Sequence, residues 1–117
     1  MNKIYYLKSC DTCKKIMKQI ENINDFELQD IKSEPITEAQ LEEMYQHTKS
    51  YEKLLNKRAQ LYKERQLKDK NLTENDIKNL LLEHYTFLAR PVVFVHDELF
   101  VGNSKTTVSM LLDRLKF

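Results

Sequence analysis

Two cysteines three residues apart, Cys10 and Cys13, stand where a short run of β-formers gives way to a helical pattern, and that junction restricts the fold more than any other feature of the chain. Lys3 to Leu7 is rich in β-forming residues and breaks at once into the polar Lys8-Ser9-Cys10, as a first strand running into a loop does. From Cys13 onward Ile16, Met17, Ile20 and Ile23 recur at the three-to-four spacing of one helix face, while Lys14, Lys15, Lys18 and Glu21 point elsewhere. Asp11 or Thr12 is available to cap the start of that helix. After the polar stretch Asn22 to Asp25, Phe26 to Ile31 alternates well enough for a second strand. The opening is therefore strand, helix, strand.

The middle of the chain reads as helices. Pro35 lies in a connector, and Thr37 with Gln40 forms a capping box for a helix whose buried face includes Leu41 and Met44. Leu54, Leu55, Leu61 and Leu67 continue the helical block in short pieces, and Thr73 opens a further helix through Ile77, Leu80 and Leu81 to about Tyr85. Pro91-Val92-Val93-Phe94-Val95 is a buried strand, Leu99-Phe100-Val101 its partner across the His96-Asp97-Glu98 turn, and Val108 to Leu115 a last amphipathic helix. The expected organisation is one α/β domain over residues 1–117, βαβ then ββα, with a helical insertion at about 36–86.

Composition removes several classes of function. The only glycine is Gly102, so neither a GxGxxG nor a GxxxxGKS/T phosphate loop exists. Nineteen basic against 18 acidic side chains leave a formal charge of +1, which argues for no nucleic-acid or membrane partner at the level of the whole chain. The longest apolar stretches are Ile4 to Leu7, Leu80 to Leu82 and Val92 to Val95, far short of the roughly 18 residues of a membrane span. Met1-Asn2-Lys3-Ile4 opens no secretory signal, so a cytoplasmic protein is expected. Lys53 to Lys70 carries seven basic side chains against Glu64 and Asp69. A solvated helix face is the expected reading of that run, ahead of direct nucleic-acid binding.

In a reducing compartment two cysteines are too few for a structural framework. Their spacing suggests a redox couple or half a metal site, with two unreactive thiols as the third reading. In the first turn of a helix, residues i and i+3 lie about 5–6 Å apart, a separation a disulfide tolerates. Cys10 falls at the helix start, where spare N–H groups and the positive end of the helix dipole favour a thiolate, and Lys8 and Lys14 add positive potential. Cys13 joins the apolar face with Ile16, Met17 and Ile20 and is the shielded thiol. On these grounds Cys10 attacks and Cys13 resolves. His47, His84 and His96 are separated by 37 and 12 residues, unlike zinc-finger histidines, and no second cysteine pair exists, so no metal is expected; nor does the thiol chemistry imply an organic cofactor.

CxxC at a helix N-terminus after a first strand, with a proline opening a later strand, resembles a thioredoxin-like fold. YLKSCDTCKK (Tyr6 to Lys15), LLNKR (Leu54 to Arg58), LARPVVFV (Leu88 to Val95) and FVGN (Phe100 to Asn103) together resemble the glutaredoxin-coupled arsenate reductase family and its Spx-like relatives, over nearly the whole chain. The resemblance implies a mixed four-stranded sheet, Cys10 as nucleophile, and Arg90 next to a cis-proline, Pro91, facing that thiol to bind an oxyanion. It also implies further oxyanion arginines. Arg58 matches one found in some branches, and Asn103 stands at the position of the last. It implies a small oxyanion or disulfide substrate, arsenate being one, and thioredoxin, glutaredoxin or glutathione as electron donor. The Spx-like branch implies instead a redox-switched regulator that binds RNA polymerase without substrate turnover.

Overall fold

The computed structural model describes residues 1–116. In chain order the elements are β1 (Asn2–Tyr6), α1 (Asp11–Lys18), β2 (Glu27–Asp30), α2 (Glu38–Thr48), α3 (Gln60–Glu64), α4 (Glu74–Glu83), β3 (Val92–Val95), β4 (Glu98–Val101) and α5 (Lys105–Arg114). They fall into two compact units, residues 1–34 with the chain from Arg90 onward, and Pro35–Ala89.

The first unit holds one sheet of four strands in the order β2-β1-β3-β4. β1 and β2 are parallel, which a crossover such as α1 requires, and β1 with β3 and β3 with β4 are antiparallel. The sheet is mixed and the α/β, thioredoxin-like arrangement is the expected one. β3 is buried at all four positions, as a central strand reading VVFV must be. Ile4, Val93, Val95 and Phe100 from the strands meet Ile16 and Ile20 of the α1 segment, Phe26, and Leu111 of α5 in one apolar cluster. Lys3 is also buried in β1, and its ammonium is 2.6 Å from the Glu27 carboxylate and 4.8 Å from the centre of the Tyr5 ring. Burial disfavours that ammonium, but Glu27 and Tyr5 outweigh it and leave the group above its ordinary value.

Several boundaries differ from the sequence expectation for local reasons. α1 ends at Lys18, because the Gln19 and Ile20 N–H groups donate to Ile16 and Met17 three residues back and tighten the last turn. Ile20 stays buried beyond it, and Ile23 begins a separate single turn. Cys10, not Asp11 or Thr12, is the N-cap residue. β2 is shorter than Phe26 to Ile31 and inverts the expected polarity, with Leu28 exposed and Gln29 buried. Gln29 tolerates this because its side-chain amide donates to the Glu34 carbonyl at 2.9 Å. α5 begins at Lys105 rather than Val108, since the Ser104 hydroxyl accepts from the Thr107 N–H and starts the helix earlier.

In the second unit the expected capping box of Thr37 and Gln40 starts α2, and one of Thr73 and Asp76 starts α4. α4 stops at Glu83, and His84 turns extended before the single turn Tyr85–Phe87. The Glu74 carboxylate accepts the Tyr51 and Glu52 N–H groups at 2.7 and 3.2 Å, tying the start of α4 to the chain after α2. Among the described residues no helix is long and apolar enough to cross a membrane.

Candidate active site

The carboxyl end of β1 delivers the chain into a tight turn in which the Cys10 N–H donates to the Leu7 carbonyl at 2.9 Å. β2 runs parallel to β1, so its own carboxyl end lies alongside, and Asp30 there accepts the Lys8 N–H at 3.2 Å. The same carboxylate accepts the Ser33 hydroxyl at 3.0 Å and the Lys32 N–H at 3.5 Å. Burial alone would raise Asp30, but these donors outweigh it and hold the carboxyl below its ordinary value. The loop that ends in Cys10 is thus fastened from a neighbouring strand. Sequence reasoning missed Asp30, and the one available signal was its place at the end of the predicted second strand.

Cys10 is half-buried and Cys13 fully buried, and both thiols are free. No side-chain hydrogen bond closes the N-terminus of α1, which leaves the spare Cys13 N–H to act on the Cys10 sulfur. Burial pushes the Cys10 thiol up, but the Cys13 N–H, the Cys13 thiol and the Arg90 guanidinium together bring it below its ordinary value. Cys13 goes the other way. Burial, with the Cys10 sulfur adding to it, pushes its thiol up to about 11 against the opposing pull of the Leu7 N–H and Arg90. Lys8 and Lys14, expected to add positive potential, are exposed and are not among the leading causes.

Arg90 is half-buried and precedes a cis peptide bond to the buried Pro91. Two backbone contacts hold this corner: the Asn103 side-chain amide donates to the Arg90 carbonyl at 3.4 Å, and the Gly102 N–H donates to the Pro91 carbonyl at 2.9 Å. Gly102 has φ of 88°, the left-handed region a side chain would resist. Asn103, which stands at the position of the family's last oxyanion arginine, contacts the backbone of Arg90, and Ser104 caps α5. Cys10, Cys13, Arg90 and Pro91 all belong to the sheet unit. Arg58 belongs to the helical unit, exposed at a turn where its N–H donates to the Asn56 side chain at 3.1 Å. Among the described residues no three His, Cys, Asp or Glu side chains form a metal-binding group.

Because Arg90 stabilises the Cys10 thiolate, Arg90→Gln raises the pH at which Cys10 is alkylated, while Arg90→Lys, which keeps the charge, restores part of the shift. Alkylation rate against pH for the three proteins checks this. Coincident curves would show that the guanidinium does not act on the sulfur.

The ArsC family model matches residues 5–111. The chain belongs to the ArsC family. Membership carries the class of chemistry, thiol-dependent oxidoreduction of the arsenate reductase type. Solved structures agree on the fold of this ArsC family chain. An ArsC family related protein from Bacteroides fragilis is 23% identical with a TM-score of 0.80, the match covering 98% of this chain and 97% of that one. An arsenate reductase from Vibrio cholerae is 18% identical with a TM-score of 0.76, covering 94% of each chain. SACOL0876 from Staphylococcus aureus is 26% identical with a TM-score of 0.75, covering 94% of this chain and 97% of that one. No curated protein matches the chain.

Proposed function

We propose that the protein is a cytoplasmic thiol-disulfide reductase of the arsenate reductase type, in which Cys10 is the nucleophile, Cys13 the resolving thiol and Arg90, with Pro91 shaping the backbone, the clamp for a bound anion. The observation that carries this reading is the asymmetry of the CxxC at the start of α1: half-buried Cys10 is the N-cap residue, where the Cys13 N–H and a hydrogen bond from Arg90 favour its thiolate, while Cys13 is buried and its thiol pushed up. A thiolate is the attacking species, so the order of the two steps follows from which sulfur ionises first.

With a disulfide RSSR′, the Cys10 thiolate bonds one sulfur as R′S⁻ leaves. Cys13 then gives up its proton and attacks the Cys10 sulfur, closing the Cys10–Cys13 disulfide and releasing RS⁻. With arsenate, the Cys10 sulfur bonds arsenic(V) as water leaves. Attack of Cys13 on that sulfur leaves the S–As electron pair on arsenic, which departs as arsenic(III). Either way the substrate gains two electrons, and thiol donors such as thioredoxin, glutaredoxin or glutathione return them to the Cys10–Cys13 pair. A planar, permanently charged guanidinium at Arg90 suits the oxyanion or carboxylate end of such a substrate. Arg58 is proposed as a second anion contact.

Alkylation of each thiol against pH, read by mass spectrometry, tests the assignment. Cys10 reacts along a curve centred below the ordinary thiol value, and Cys13 only as the pH approaches about 11. A Cys10 curve at the ordinary thiol position would remove the nucleophile. Adducts formed with arsenate, oxidised glutathione and oxidised partner proteins then name the substrate. The CxxC pair also supports the Spx-like reading, in which the disulfide remodels a protein surface. Oxidation-dependent binding of RNA polymerase with no turnover of any substrate would favour it.

A further inference from the structure

The basic run Lys53 to Lys70 contributes only Arg58 to the proposed chemistry. In the helical unit, Lys57, Lys68 and Lys70 from that run line a cleft of about 740 Å³. Its floor is apolar, made by the buried side chains Tyr62, Leu67 and Ile77 and the half-buried Leu72. Glu52 is the one carboxylate on this lining, 3.2 Å from Lys57, and among the described residues Lys68 and Lys70 have no acidic partner. Cations above an apolar floor complement a ligand that is acidic on one side and apolar on the other. A bare polyanion would satisfy the lysines and leave the floor uncovered. Nor is there a platform for successive bases, since Tyr62 is the lining's only aromatic ring.

We propose that this cleft docks an acidic, amphipathic peptide segment of a partner protein, with Lys68 and Lys70 pairing its carboxylates and Tyr62, Leu67, Leu72 and Ile77 receiving its apolar side chains. The proposal is independent of the chemistry at Cys10. Its test is a titration of the reduced, full-length chain with a synthetic peptide alternating Glu with Leu, followed by amide NMR shifts. Shifts cluster on the cleft residues, and the exposed double change Lys68→Glu with Lys70→Glu weakens binding by about tenfold or more while leaving Cys10 alkylation unchanged. A second peptide with Ser in place of Leu binds about tenfold more weakly, because the floor goes unfilled. Equal binding of the Ser peptide, shifts outside the cleft, insensitivity to the charge reversal, or tighter binding of a single-stranded oligonucleotide or of dodecanoate would each overturn the proposal.

Discussion

Cys10→Ser lowers turnover of any substrate by on the order of a thousandfold or more, equivalent to about 4 kcal/mol of lost transition-state stabilisation. The seryl hydroxyl occupies the same N-cap position but does not ionise in the range where the Cys10 thiol, lowered by Cys13 and Arg90, is already anionic. Cys13→Ser has a different signature. The first displacement still occurs, but nothing resolves it, so the variant accumulates a Cys10 mixed disulfide visible as an added mass on that residue alone. Steady-state rates with a thiol donor, together with mass spectrometry of quenched samples, separate the two. Retained activity in Cys10→Ser, or an adduct found on Cys13 in the wild type, would reverse the roles. Burial of Cys13 makes that reversal unfavourable, because a thiol pushed up to about 11 is almost wholly protonated near neutrality.

The second large effect is on stability. Ile4 is fully buried in β1, with parallel β2 on one side and antiparallel β3 on the other, and belongs to the cluster with Ile16, Val93 and Leu111. Ile4→Ala therefore removes about 2–5 kcal/mol, a large part of the roughly 5–15 kcal/mol typical of a whole domain. In urea titrations the midpoint falls while the slope is unchanged, as expected when the native state loses packing and the unfolded surface stays the same. Leu28→Ala on the neighbouring strand is the control. Leu28 is 44% exposed, and its truncation changes stability by no more than about 0.5 kcal/mol. A comparable loss for both would mean that β2 rather than the β1 core carries the sheet. Because β1 also leads directly into Leu7 and the Cys10 turn, the Ile4 cavity is expected to slow thiol chemistry before the protein unfolds.

Local pattern was sufficient wherever the controlling interaction is between near neighbours. The strand-to-helix junction at Cys10, the capping box at Thr37, the helix opened by Thr73, and the apolar strand Val92–Val95 all depend on residues within a few positions of one another. The same reasoning failed at Leu28 and Gln29. The burial of β2 is set by the strand it pairs with and by the Glu34 carbonyl that accepts the Gln29 amide, not by its own alternation.

Around the thiols, residue types alone named the cysteines and marked one as exposed to a helix terminus, since both properties follow from spacing and from the dipole of a short helix. What they had no means of saying was how far each sulfur moves from its ordinary acidity. That depends on Arg90, 80 positions from Cys10 in the chain, on the Cys13 and Leu7 N–H groups, and on the depth at which Cys13 is buried. Those are through-space effects whose strength falls with distance and rises with desolvation, quantities that exist only once the chain has closed on itself.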